Sequence, residues 1–187
     1  MHPLLDEIRE RVSAPLAGCS AEQVARHPAG DPARWSAQQI VEHLSATWRS
    51  TSSGIEDRLR KGRPLLTRPT LVQRSMQLAV CECGYFPKAR KAPPAVQPGA
   101  VSGELLSGDE LIARFSATLA AMDSTLNRIE TQSKNAPVLT HFLLGPLSAQ
   151  RWRRFHRTHA RHHTRQIERA IRSAGDSSEC IHDPAAT

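Results

Sequence analysis

Four of the nine histidines in this chain stand between Trp152 and Ile171, in the run WRRFHRTHARHHTRQIERAI. Neutral imidazoles converging from one helix face are metal-ligand chemistry, and a pair four residues apart achieves that convergence. Each helical residue advances about 100° around the axis. Taking His159 as origin, Trp152, Phe155, His163, Gln166 and Ala170 fall within roughly 40° of it. Arg153, Arg154, Arg157, Arg161, Arg165, Glu168, Arg169 and Arg172 fall roughly 80° to 180° away. The segment therefore predicts an amphipathic helix with His159 and His163 centred on its apolar stripe. Burying two unpaired imidazoles is costly, and a shared ion would offset that cost. His156 and His162 lie about 60° to either side, at bundle boundaries, and are poorer candidates. The arginine run reads as a solvated face.

A third ligand must come from elsewhere. His43 is the best choice, because it shares the apolar side of its own helix with Ile40, Leu44 and Thr47. His141 precedes the histidine helix in a loop and could approach the same pocket. A lone core histidine is ordinarily just hydrogen-bonded, so periodicity alone does not make His43 a ligand. His2, His27 and His182 have no patterned context. Trp35, Trp48 and Trp152 read as packing anchors.

These residues must be positioned by helices. Leu4, Leu5, Ile8 and Val12 follow Pro3 at helical spacing, and a short turn fits Ser20 to Arg26. Ser36 with Gln39 forms a capping-box pattern that opens a long helix to about Lys61, closed by Gly62 and Pro64. Thr70 to about Cys83 predicts another helix. The stretch from Gly84 to Gly108 is a proline-rich crossover. Asp109 to Gln132 repeats Leu111, Phe115, Leu119, Met122, Leu126 and Ile129 at three and four residues. A second crossover runs from Ser133 to Leu147, and Ser148 caps the histidine helix. Four substantial helices, an extra N-terminal helical segment and two long crossovers predict an all-α four-helix bundle. A single domain over residues 1–175 and a flexible tail over 176–187 are expected.

Composition bounds the rest. At 187 residues, 39% apolar and 23% charged, the chain suits a soluble globular protein. Its opening, MHPLLDEIRERV, lacks an apolar leader core, and no run reaches a membrane span, so a cytoplasmic location is expected. The net charge of +7 invites nucleic acid. Much of it lies on one helix, however, and no recognition motif accompanies it, so nucleic-acid binding is not expected. Cys19, Cys81, Cys83 and Cys180 are dispersed and read as reduced thiols.

Two of these stretches carry a resemblance. RWSAQQIVEHL, from Arg34 to Leu44, is similar to the Trp-Ser-x-x-x-Ile-x-x-His-Leu signature of the DinB-like superfamily of four-helix-bundle metalloproteins. His159, His162, His163 and Gln166 fill the H-x-x-H-H-x-x-Q pattern of that superfamily's last helix. The loop from His141 through Gly145 and Pro146, and the Lys-Ala-Pro-Pro segment before Leu105, resemble a subgroup related to the bacillithiol and mycothiol S-transferases. The resemblance implies a divalent metal, zinc or nickel first and iron or manganese as alternatives, held by His43, His159 and His163. It also implies a homodimer.

Three histidines leave an open coordination position. There a metal can hold a low-molecular-weight thiol for transfer to an electrophilic small molecule, or activate water for hydrolysis. No His-Glu-x-x-His arrangement is present, and Glu42 points about 100° away from His43, so the hydrolase reading lacks a base. Gln166 faces the ligands one turn along. His162 either contacts substrate or a ligand, or is a boundary histidine without a role. A non-enzymatic metal-binding or stress-response bundle is the remaining alternative.

Overall fold

A computed structural model describes residues 1–62, 65, 67–87, 93–98 and 104–176, with side chains to 174. The expectations for Pro64, Lys91, Ala92, Cys180, His182 and the C-terminal tail lie outside the described residues. Six α-helices appear in it: α1 Pro3–Ser13, α2 Ala21–Ala25, α3 Ala37–Lys61, α4 Leu71–Gln77, α5 Gly108–Ser133 and α6 Ala149–Asp176. Strands β1 Leu139–His141 and β2 Gly145–Leu147 pair antiparallel between α5 and α6, with His141 opposite Gly145. This hairpin occupies the crossover read from sequence as loop. No helix among the described residues is long and apolar enough to cross a membrane.

Local chemistry explains the helix starts. Ser20, Ser36, Thr70 and Ser107 each accept a hydrogen bond from the backbone N–H three residues on. The side chain at that third position, Gln23, Gln39, Gln73 or Glu110, accepts from the cap's own N–H. Such reciprocal capping satisfies donors that a helix start otherwise orphans. Gly62 ends α3 in the left-handed region at φ 58°, a conformation glycine adopts without penalty.

The bundle is built from α1, α3, α5 and α6, which pack on one another. The N-terminal segment is thus one of the four helices rather than an addition to them. Leu5, Ile8 and Val12 bury its inner face completely. The segment after Thr70 has the outer place: α4 continues into a π-helical turn, Leu78–Glu82, that lies along α6. Leu71, Val72 and Leu78 are exposed there, and the segment joins the core only through Val80 and Cys81, with Met76 packed against it. Buried Gln77 ties this outer segment down. Its amide donates to the carbonyls of Leu144 (2.7 Å) and Pro146 (3.1 Å) in the hairpin, and its oxygen accepts from Arg151 (2.6 Å) of α6.

The helix α6 is enclosed on more sides than a surface helix, and this corrects two expectations. Arg153 is fully buried, with its guanidinium donating to Glu130 (2.6 Å) and Asn127 (2.7 Å) of α5. Arg157 meets Glu7 of α1 at 3.0 Å, and Arg154 pairs with Glu82. The arginine run is therefore in large part an interface, not a solvated face. His156, expected at a boundary, is fully buried among Trp48, Trp152 and Phe155. A helix packed by three others has a buried arc wider than the stripe that sequence periodicity outlines.

The start of α5 is set by a close approach. The Gly108 N–H donates to the Cys19 carbonyl at 2.9 Å, and a Cβ on Gly108 would lie 1.8 Å from the Leu16 carbonyl oxygen. Backbone cannot yield as a flexible side chain does, so Gly108→Ala must separate α5 from the α1–α2 loop. The expected loss is about 3 kcal/mol of stability, read as a lower urea midpoint at unchanged slope. A midpoint equal to that of the parent would show that this junction yields freely.

Candidate metal centre

Helix α3 brings one histidine to the site and α6 brings two. His43, His159 and His163 are all buried, and each offers a ring nitrogen within 4.8 Å of the others. The His159 Nε2 lies 3.2 Å from His43 Nε2 and 3.0 Å from His163 Nε2. Tetrahedral imidazole nitrogens about 2.0–2.1 Å from a zinc ion stand about 3.3 Å apart, close to these separations.

Hydrogen bonds at the far side of two rings fix their tautomers. His43 Nδ1 donates to the Val96 carbonyl at 2.6 Å, since a carbonyl only accepts. His163 Nδ1 donates to Gln166 Oε1 at 2.7 Å. Both Nε2 atoms therefore carry lone pairs aimed at His159. A proton on His159 Nε2 can serve only one of them, so at least one acceptor is left facing an unmatched partner. The His159 Nδ1 is buried with no partner among the described residues. A cation at the meeting point satisfies all three Nε2 atoms at once, and the residues present fit a divalent ion.

The His159 ring is held by stacking instead of a hydrogen bond. Phe86 lies over it at 5.2 Å between centroids and 22°, and Phe155 at 5.6 Å and 17°. Trp35 closes another side, 5.1 Å from the His43 ring and 6.4 Å from that of His163. Phe86 and Val96 come from the crossover after α4, and sequence gave no signal for either. A backbone carbonyl has no side-chain signature, and a single aromatic in a proline-rich stretch has no periodicity.

Of the three residues expected around the converging histidines, Gln166 and His162 lie beside them. The Gln166 amide donates to His162 Nε2 at 3.3 Å while its oxygen holds His163. His162 is half-buried and stacks on Phe86 at 4.8 Å. His141 lines the same cavity but is not one of the three converging histidines. Its Nδ1 accepts from the N–H groups of Leu143 and Leu144, both at 3.1 Å, so it shapes the hairpin turn. Cys81 is buried and its thiol is pushed up to about 11, mainly by desolvation, which leaves it unreactive at neutral pH.

Burial keeps this region neutral. It lowers His43 against the opposing pull of the Val96 carbonyl, and lowers His159 well below its usual range, with His163 and His43 adding repulsion. His163 falls to about 3, through burial first and then His43 and His162. Metal ligation requires this neutral form.

A four-helix bundle that gathers one histidine from an early helix and two from its last helix at one buried point defines a helix-bundle protein with a candidate metal centre. Its family follows from the sequence as well. The chain belongs to the DinB superfamily, whose family model matches residues 4–167. No curated protein and no solved structure matches it.

Acid sensitivity follows from the buried histidines. Burial drops His156 to about 3, with His141 adding to the effect, and drops His141 to about 4. An unfolded chain binds these protons once the pH falls below about 6.5, whereas the folded chain does not. Their stabilising contribution is thus complete above about pH 6.5 and is lost toward pH 3–4. In chelator-treated protein the melting temperature should fall steadily from about pH 6.5 to 4. Neither His156 nitrogen has a partner among the described residues, so His156→Leu should be tolerated at pH 7 and make that decline shallower. An identical decline in the variant would refute a neutral, buried His156.

Proposed function

We propose that this protein binds a divalent metal ion through His43, His159 and His163 and transfers a small thiol to an electrophilic substrate. The observation that carries the reading is the buried meeting of three Nε2 atoms whose lone pairs the protein's own protons cannot match. Neutral imidazoles suit zinc or nickel best, with iron and manganese also compatible. When bound, such an ion supplies an open position at which a thiol is held as its thiolate.

The chain's own residues orient and shield. The Val96 carbonyl and Gln166 hold the Nδ1 protons, raising ligand basicity and fixing ring orientation. Phe86 and Phe155 clamp the ring of His159. The cavity above the histidines exceeds what sequestering an ion requires, enclosing about 690 Å³, and this favours a substrate-handling site. No Asp or Glu lines it among the described residues. The available proton acceptor, His162, already accepts from Gln166, and burial together with Arg165 and Arg169 lowers its basicity. That shortage of a base supports transfer of a thiol over activation of water for hydrolysis.

Zinc or nickel at a hundredfold excess over its Kd should stabilise the protein by about 2.7 kcal/mol in thermal unfolding. His43→Ala, His159→Ala and His163→Ala should each abolish this gain, whereas His156→Leu should retain it. Absence of any gain in the parent protein would defeat the metal reading, and equal loss in His156→Leu would defeat the ligand assignment. For the reaction, the zinc-loaded protein is offered a panel of electrophiles with and without small thiols. Consumption should require the thiol; turnover without it would overturn the transferase reading.

A further inference from the structure

The cavity has a one-sided charge. Among the described residues that line it, the charged ones are Arg34 and Arg169, and both are exposed at its rim. The remaining walls are largely apolar, with Trp35, Phe86, Leu139, Phe142, Leu143 and Phe155 among them. The arginines of the first half of α6 are engaged: Arg151 with Gln77, Arg153 with Glu130, Arg154 with Glu82 and Arg157 with Glu7, while Arg161 and Arg165 do not line the cavity. Arg34 and Arg169 take part in no ion pair among the described residues.

Two elements carry these arginines to one rim. The loop before α3 is pinned to the end of α6. There the Ala29 N–H donates to Ser173 Oγ at 2.8 Å and Arg26 donates to the Ala174 carbonyl at 2.9 Å. Arg34 ends that loop, next to Trp35, whose ring rests against His43. Arg169 stands on α6 seven residues beyond His162, about 20° from it around the axis and about 10 Å further along. It therefore sits above the face that His162 and Gln166 present to the cavity.

We infer that the cavity takes a small molecule with an apolar body and one acidic headgroup, a carboxylate or sulfonate, held at the rim by Arg34 and Arg169. This rests on the reading of the cavity as the substrate chamber of the three-histidine site. The guanidinium fork matches a planar or trigonal oxyanion, and the apolar body replaces water against the aromatic walls. A cationic ligand meets repulsion with no counter-charge among the described lining residues. A neutral one leaves both guanidiniums without a partner.

The test uses the full chain and two fluorescent probes of the same ring system, anilinonaphthalenesulfonate and the uncharged phenylnaphthylamine. Each is titrated with zinc and, separately, with chelator, so that anion binding to metal does not contribute to the second measurement. With chelator present, the sulfonate should bind about tenfold more tightly than the neutral probe. The Arg34→Gln, Arg169→Gln double variant should erase that preference while leaving the neutral probe's affinity unchanged. Arg60→Gln, on the outer end of α3, should keep the preference. Equal affinities in the parent protein, or a preference that survives the double change, would overturn the inference. Zinc stabilisation measured on the same samples separates the two ideas. Its loss with anion preference intact refutes only the metal reading, and the converse refutes only this one.

Discussion

Three imidazole nitrogens pointing at one another in a buried space set the main constraint on this fold. Two of the rings have their outer nitrogen committed to an acceptor, Val96 O for His43 and Gln166 Oε1 for His163, so their inner nitrogens are acceptors as well. Acceptors facing acceptors away from water are unfavourable unless a positive charge lies between them. Everything around the cluster keeps that arrangement from relaxing. Turning the His43 ring would break its bond to the crossover, and turning His163 would release Gln166 and with it His162. His159 is confined between Phe86 and Phe155. Preorganisation of this kind is compatible with metal binding, since groups already gathered need not be ordered when an ion arrives.

The helix α6 serves two ends that compete for its surface. One face must deliver His159, His163 and Gln166 to the cavity. The others must hold α1, α5 and the outer π-turn. The arginines resolve the competition, because a long side chain can cover apolar surface with its stem and reach a partner with its tip. Arg153 crosses to α5, Arg157 to α1 and Arg154 to Glu82 in the π-turn. Thr158 adds a bond to the Val80 carbonyl at 2.8 Å, which fixes the turn leading to Phe86. The basic character of the first half of this helix thus reflects assembly, and exposed charge lies in its second half, where Arg169 stands at the cavity rim.

What sequence made legible follows from which interactions leave a periodic trace. The helices did, through capping boxes at Ser36 and a heptad-like run in α5, and so did His43, His159 and His163, through their position on apolar stripes. The family pattern fell on the same residues. Arg153 and His156 were misread because periodicity assigns one stripe per helix, and α6 has neighbours on three sides. The short hairpin was missed because strands of three residues, one containing Gly145 and Pro146, carry no alternation to detect. Val96 and Phe86 left no trace at all. Their roles come from where a crossover returns to the bundle, a long-range property that local composition does not encode.

That division has a functional counterpart. The residues legible from sequence are those that converge on the histidine cluster, while the cavity above them is built by the parts that were not: the crossover, the hairpin and the loop before α3. Such segments tolerate substitution better than a bundle core does, since fewer buried contacts depend on them. The histidine floor of the cavity and its walls are therefore built by separable parts of the chain. A bundle arranged in this way can keep one three-histidine floor while its crossovers vary the shape and charge of what stands above it.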